Sequence, residues 1–341
     1  MIELNNLIEN PSAPIAVVGT TVWGITLSVM LAQKGTEVRL LARTEQEAKL
    51  LNTEKESTAK LPGFKFPERL FVTHDPLVVF HDVNIILMVV PSSSMRANAA
   101  WVNRFLNANS IVVSAAKGLE ADTTMRMSEV LADEIPTAKF AALSGPNLAR
   151  EIINNKPAST VVSSKSLEVS LAVQSALNSQ MFRVYTNSDI IGTELAGAFK
   201  NIIAIGAGVV DGIDLGDNAK SGLVTRGLSE MTRLGVAAGG EGSTFAGLSG
   251  LGDLIVTCYS GLSRNYKVGL SLSRGLTAEQ AVKNLGGEVA EGISSTPVAL
   301  SLAQKLGVEL PLTEVIQELI SGEIKTDEAI AKIMNRSPRN E

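Results

Sequence analysis

This sequence is poor in the residues that usually announce a site. It has a single cysteine in 341 residues, two histidines, and only 4% aromatic side chains. One cysteine excludes an intramolecular disulfide and fits a reducing, cytoplasmic compartment. That residue, Cys258, closes the apolar run Leu254-Ile255-Val256-Thr257-Cys258 and is expected to be an inert buried thiol. The histidines, His74 and His81, have no cysteine or acidic ligands at metal spacing, so no metal site is expected and both read as surface residues. Positive charge is not in excess: 30 Lys and Arg stand against 35 Asp and Glu, a formal net charge of −5. That balance argues against a nucleic-acid partner, while a local basic pocket for a phosphate remains compatible with it. No uninterrupted apolar run approaches about 18 residues, so no membrane span is expected. Residues 1–14 are acidic and lack a basic start followed by an apolar core, so they do not read as a signal peptide.

What is present is a chain of globular composition, 45% hydrophobic and 19% charged, long enough for two domains. Short β-branched runs alternate with helix-like segments through the first half. Strands are predicted at 15–18, 37–41, 84–90, 110–115 and 139–143, with a helix over 22–34 ended by Gly35. Apolar strands separated by helices imply a parallel sheet covered on both faces. A hairpin-like pair, 160–163 with 182–185, is expected to close this domain. From about Asp189 the strand signals stop and helices are predicted at 194–210, 220–238, 263–274, 277–284, 294–306, 312–320 and 327–334. Gly239-Gly240, Gly286-Gly287 and Pro311 punctuate them. The expected fold is α/β: a Rossmann-type nucleotide-binding domain over 1–188, then an all-helical substrate domain over 189–341.

The first strand runs into Gly19-Thr20-Thr21-Val22-Trp23-Gly24 and a helix. A dinucleotide pyrophosphate docks on free N–H groups at such a helix start. The spacing is that of G-x-G-x-x-G, with Thr21 at the middle glycine. A Cβ there should crowd the phosphates, a cost that its hydroxyl offsets if it donates to a phosphate oxygen. Crowding predicts that Thr21→Gly tightens NADPH binding. The second strand ends at Arg43, roughly 20 residues past the loop, where NAD enzymes carry an acid. A guanidinium suits a 2′-phosphate, so the cofactor is read as NADP or NAD with NADPH favoured.

In Ala198-Phe199-Lys200-Asn201-Ile202-Ile203 a lysine and an asparagine interrupt a long small-residue and aliphatic segment. An ammonium buried there loses hydration, and its pKa falls toward the range useful for proton transfer. The alternative is a lysine emerging on the one wet face of an amphipathic helix.

Further motifs follow in order: Val89-Val90-Pro91-Ser92, Ala116-Lys117-Gly118, Ser144-Gly145-Pro146-Asn147-Leu148-Ala149, Lys200-Asn201, Gly250-Leu251-Gly252-Asp253-Leu254, Ser263-Arg264-Asn265 and Val289-Ala290-Glu291-Gly292. With the Trp23-Gly24 ending of the first loop, this ordered set resembles the NAD(P)-dependent glycerol-3-phosphate dehydrogenase family, from about residue 15 to 334. The resemblance implies reduction of dihydroxyacetone phosphate to sn-glycerol 3-phosphate, the precursor of glycerophospholipids. It implies a catalytic Lys200, assisted by Lys117 and Asp253. It places Lys117, Gly145, Asn147, Lys200, Asp253, Ser263, Arg264 and Asn265 around the substrate. It places Gly19, Val22, Trp23, Gly24, Arg43, Lys117, Ala149, Arg264, Val289 and Glu291 around the cofactor. It also implies a homodimer, for which the chain shows no periodic seam.

These residue types suit the chemistry. A cation aimed at a carbonyl oxygen stabilises the charge that develops there on reduction, and a lysine can then surrender its proton. Asp253 is suited to fixing an ammonium or a substrate hydroxyl. Ser263-Arg264-Asn265, opening a helix, offers N–H groups, a hydroxyl and a guanidinium to a phosphate. Thr21 and Asn147 depart from the family pattern, which has a glycine at the first position and Ser or Thr at the second. Two other readings compete: a related two-domain hydroxyacid or ketopantoate-type reductase, and a cofactor-binding regulator without catalysis. The Ser263-Arg264-Asn265 triplet opposes the first. Retention of Lys117, Lys200 and Asp253 opposes the second.

Overall fold

The structure is a computed structural model that describes residues 13–108, 110–286 and 289–335. Residues 1–12 and Gly287, which enter the signal-peptide and helix-boundary readings, lie outside the described residues. The chain divides into two compact units. The first comprises Met1–Ala116 with Arg126–Ile190, the second Lys117–Met125 with Ile191–Glu341. The segment Lys117–Met125, placed in the first domain by sequence reading, thus packs with the helical unit. Leu119 buries against Leu195, Ala198 and Val298, and Lys305 donates to Thr123 O and Thr124 Oγ1.

The first unit is built on an eight-stranded sheet. Its strands are β1 (Ile15–Val18), β2 (Val38–Leu41), β3 (Leu70–Thr73), β4 (Ile85–Met88), β5 (Ile111–Ser114), β6 (Lys139–Ser144), β7 (Ala158–Ser163) and β8 (Phe182–Asn187), in the order β3-β2-β1-β4-β5-β6-β7-β8. The run from β3 to β6 is parallel, with β1, β4 and β5 buried at every residue. Helices on both faces explain why these strands are apolar throughout. The β6·β7 pair is antiparallel. The β7·β8 pair is parallel, which corrects the hairpin expectation. The helix Leu167–Leu177 joins the two strands, and a crossover of that length returns the chain in the same direction. Strand order reverses beside β1, between β2 and β4. The carboxyl ends of strands at such a switch point are where open α/β sheets bind ligands.

The second unit is helical. Its helices are Ile190–Gly212, Gly216–Ala237, Gly242–Phe245, Asp253–Tyr259, Arg264–Leu272, Ala278–Asn284, Glu291–Leu306, Pro311–Ser321 and Thr326–Met334. The Ile190–Gly212 helix is long and apolar enough to cross a membrane, yet 94% of its most apolar window is buried inside the fold. It is the core helix of the unit. A Cβ at Gly269 would stand 2.0 Å from Ile205 O, so the Arg264–Leu272 helix lies backbone to backbone against it. No side chain larger than hydrogen fits that seam.

Candidate active site

The wide turn at residues 248–252 leads into the helix Asp253–Tyr259 and delivers Asp253 to its first position. A carboxylate is favoured at a helix start. Asp253 is only 1% exposed, and its two oxygens hold two lysines. Lys117 Nζ donates to Oδ2 at 2.6 Å. Lys200, from the core helix, donates to Oδ1. Lys200 Nζ also donates to Thr257 Oγ1 at 2.8 Å, and that hydroxyl in turn donates to Asp253 O. The buried alternative of the sequence reading is therefore the one realised.

Burial is the largest influence on Lys200, disfavouring its charged form. The Asp253 carboxylate opposes this, and the Lys117 ammonium adds to it. The outcome is a pKa lowered from 10.5 to about 7. Two ammoniums facing one carboxylate make the cluster singly positive when Lys200 is protonated and neutral when it is not. Such a group can give or take a proton near neutral pH and can place positive charge on an oxygen that becomes negative. Cys258 lies on the same helix, but burial pushes its thiol up to about 12, as expected of an inert side chain.

The Lys200 site is tied to the next predicted motif through its neighbour. Asn265 Nδ2 donates to Asn201 Oδ1 at 2.9 Å, and Asn265 Oδ1 accepts from Gly292 N at 2.9 Å. This relay fixes Lys200, Arg264 and Glu291 relative to one another. Ser263 Oγ accepts from Tyr266 N and caps the Arg264–Leu272 helix. Much of Ser263 and Asn265 is thus engaged in holding the helix start. Arg264 is exposed and carries no ion pair among the described residues. Val289 is exposed, and Glu291 opens the helix Glu291–Leu306.

The remaining predicted residues lie in the first unit. Gly19 leaves β1 with φ +113°, and a Cβ on it would stand 2.6 Å from Val89 O. Thr21 is the N-cap of the helix Val22–Gln33. Its Oγ1 accepts from Gly24 N at 3.0 Å and donates to Val89 O at 3.0 Å. This corrects the expected phosphate contact, because the one hydroxyl proton is given to the chain leaving β4. The N–H groups of Val22 and Trp23 have no intrahelical acceptor at this helix start. A glycine turn without room for a Cβ, followed by those N–H groups, fits a dinucleotide pyrophosphate. Trp23 is half-buried, its ring 6.5 Å from that of Phe182. Arg43 is exposed at the end of β2. Beyond β6, Gly145 has φ +147° and abuts Thr160, whose Oγ1 donates to Asn147 Oδ1 at 2.9 Å. Asn147 Nδ2 donates to Ser159 O, so its amide pins this turn to β7. Ala149 begins the short helix Ala149–Ile153.

Comparison with known proteins identifies the family and the fold. The family model for the NAD-dependent glycerol-3-phosphate dehydrogenase N-terminus matches residues 14–170, and that for its C-terminus matches residues 189–331. The chain belongs to the NAD-dependent glycerol-3-phosphate dehydrogenase family. Similar members include glycerol-3-phosphate dehydrogenase [NAD(P)+] of Dehalococcoides mccartyi, 45% identical over 324 residues, 94% of this chain and 90% of the relative. The protein of the same description from Chlorobium phaeobacteroides is 42% identical over 330 residues, 96% of this chain and 98% of the relative. The crystal structure of glycerol-3-phosphate dehydrogenase from Coxiella burnetii superposes with a TM-score of 0.91 at 36% identity, covering 96% of this chain and all (100%) of that one. Membership of the dehydrogenase family accounts for the nucleotide-binding sheet followed by helices and implies NAD or NADP as cofactor.

Sequence reasoning assigned no role to Thr257 or Asn201. Thr257 lies four residues past Asp253, one turn along the same helical face, which is a readable signal once residues 253–259 are known to be helical.

Proposed function

We propose that this chain catalyses the reversible reduction of dihydroxyacetone phosphate to sn-glycerol 3-phosphate, with Lys200 as proton donor and acceptor. The observation that carries the reading is the buried Lys200 ammonium, held by Asp253 and Thr257 with a pKa near neutrality. The nicotinamide cofactor, when bound, supplies or accepts the hydride. In the reductive direction Lys200 places its charge on the carbonyl oxygen and then transfers its proton there. Lys117 keeps a second positive charge beside it, and Asp253 aims both side chains. In the oxidative direction neutral Lys200 takes the hydroxyl proton. Arg264 and the Ser263-capped helix start hold the substrate phosphate, with Asn265 fixing that turn. Gly145 and Asn147 complete the substrate set. Gly19, Val22, Trp23, Gly24, Arg43, Lys117, Ala149, Arg264, Val289 and Glu291 form the cofactor set.

We propose also that the protein works in the cytoplasm as a homodimer on a phosphorylated small molecule, without nucleic-acid or membrane partners. Resemblance supports the dimer; a net charge of −5 and a single cysteine support the rest. Sedimentation tests the dimer. NADPH oxidation measured with dihydroxyacetone phosphate, against unphosphorylated dihydroxyacetone and ketopantoate, tests the activity. Turnover dependent on the phosphate is expected. A preference for ketopantoate, or no turnover at all, overturns the reading.

A further inference from the structure

One polar cluster is not used by the mechanism above. Glu47, in the helix Glu45–Glu54 that follows β2, turns its carboxylate back toward the ends of β1 and β2. Its Oε2 accepts from Arg43 N at 2.9 Å. Its Oε1 accepts from Thr20 Oγ1 at 2.7 Å and from Lys60 Nζ at 3.2 Å. Lys60 Nζ lies 3.2 Å from Thr20 Oγ1 as well. Thr20 is the residue directly after Gly19, and Arg43 is the residue read as facing the adenosine ribose. The cluster therefore joins the phosphate loop to the ribose-reading strand end.

Lys60 is placed there by its backbone. Its N–H donates to Ser57 O, and Leu61 beside it is only 2% exposed and packs in the sheet core. The Lys60 side chain is nonetheless 40% exposed, against 25% for Glu47, so the ammonium can reach a ligand while the carboxylate stays anchored. As a contribution to stability, such a half-exposed pair is worth little. Its consequence lies in charge. Arg43 and Lys60 bring two positive charges to this corner, and Glu47 cancels one. A 2′-phosphate is strongly anionic, whereas the 2′-hydroxyl of NADH is neutral, so the two cofactors feel this balance differently.

We propose that the Glu47–Lys60 pair determines how far this enzyme prefers NADPH over NADH. Lys60 exchanges the Glu47 carboxylate for the cofactor's 2′-phosphate, and Glu47 resists that exchange by holding Lys60 and by repelling the phosphate. The proposal rests on the dinucleotide reading of the Gly19–Gly24 loop. It makes Glu47 a brake on NADP selectivity and Lys60 a contributor to it.

Isothermal titration of NADPH and NADH into the full-length protein without substrate, at one fixed ionic strength, tests this. Glu47→Gln keeps the shape and removes the charge. It should tighten NADPH about tenfold and leave NADH within about twofold, the scale of one charge-assisted hydrogen bond. Lys60→Met should weaken NADPH about tenfold with NADH again little changed. Equal shifts for both cofactors, or an unchanged ratio in both variants, would overturn the proposal by reducing the cluster to a prop for the loop. Should Glu47→Gln not fold, the NADPH-to-NADH ratio of Lys60→Met decides alone. A wild-type protein that binds neither cofactor would overturn the dinucleotide reading, and the proposal with it.

Discussion

Replacing Lys200 by methionine keeps the bulk of the side chain and discards both its charge and its proton. A positioned general acid is worth about 10²–10⁴-fold in rate, or roughly 3–5 kcal/mol of barrier. Loss of a cation at the developing oxyanion costs about 10²–10³-fold. The two effects belong to one group and do not multiply in full, so kcat should fall by about 10³-fold or more. The fold should survive. Lys117 stays on Asp253 Oδ2, and the cost of burying the Lys200 ammonium disappears with it. The assay is NADPH consumption with dihydroxyacetone phosphate, read with a thermal melt of the same sample. The pH profile carries the sharper test. With a Lys200 pKa of about 7, kcat/KM for reduction should fall about tenfold per pH unit above that value, and kcat/KM for oxidation should rise toward it from the acid side. Stability follows the same residue. In the unfolded chain it titrates near 10.5, so between about 7 and 10.5 the unfolded state binds the extra proton and wild-type stability rises with pH. That rise should be absent from Lys200→Met. A variant keeping more than about a tenth of wild-type kcat would refute the assignment of the general acid, since even the low end of that contribution exceeds tenfold.

Three further outcomes are expected. Arg264→Ala should raise KM for dihydroxyacetone phosphate by about 10–100-fold, the worth of a charge-assisted hydrogen bond, and change kcat/KM for unphosphorylated dihydroxyacetone little; equal losses on both substrates would contradict a phosphate contact. Thr21→Gly should tighten NADPH in a titration while lowering stability by about 1 kcal/mol in a denaturant melt, because the cap and the bond to Val89 O are lost. Glu230 is buried and accepts from Leu312 N, Thr313 N and Thr313 Oγ1, and burial raises its pKa. Its folded value lies above its unfolded one, so its contribution is full below about 4.5, declines as pH rises from there through the folded value, and is lost above it; wild-type stability relative to Glu230→Gln should fall across that interval and then level off in melts at stepped pH.

Much of this fold can be read from the chain because its decisive elements are unambiguous. The strands β1, β4 and β5 are buried at every residue and flanked by helices, a pattern with one common solution. The edge strand β3 is harder to see. It has four residues, and Phe71 on it is exposed. The relation of β7 to β8 is hidden for another reason. Their content is β-branched, but the helix between them exposes Leu167 and Leu171 and lacks a clean polar face. The helix Asp253–Tyr259 is masked by β-branched Ile255, Val256 and Thr257, and without it the spacing of Asp253 and Thr257 says nothing. Lys200 is legible as an anomaly in apolar surroundings, whereas its partners depend on tertiary contacts from residues far away in sequence. The sequence likewise carries no sign of whether the Asn147 and Asn265 side chains are committed to protein partners, since short polar side chains in turns serve backbone and ligand alike.

If Lys200 is the proton donor we propose, the charge of the Lys117–Asp253–Lys200 cluster links affinity to catalysis. With Lys200 protonated the cluster is positive, and without that proton it is neutral. A dihydroxyacetone phosphate molecule brings negative charge and a carbonyl that needs a proton, so it binds best to the protonated state. Linkage is reciprocal, and substrate binding must then raise the Lys200 pKa by as much as protonation strengthens binding. In the proposed mechanism the free protein, with Lys200 poised near pH 7, takes up a fraction of a proton when substrate arrives and delivers it when the ketone is reduced. Glycerol 3-phosphate, carrying a hydroxyl where the ketone was, has no further use for that proton in the forward direction. The neutral Lys200 left behind holds the product less tightly through charge and is ready to remove its hydroxyl proton in reverse. An exposed lysine titrating near 10.5 would stay charged throughout and lose that distinction. Under the role proposed for Lys200, burial in the core helix is what would let a single side chain serve both directions of the reaction at neutral pH.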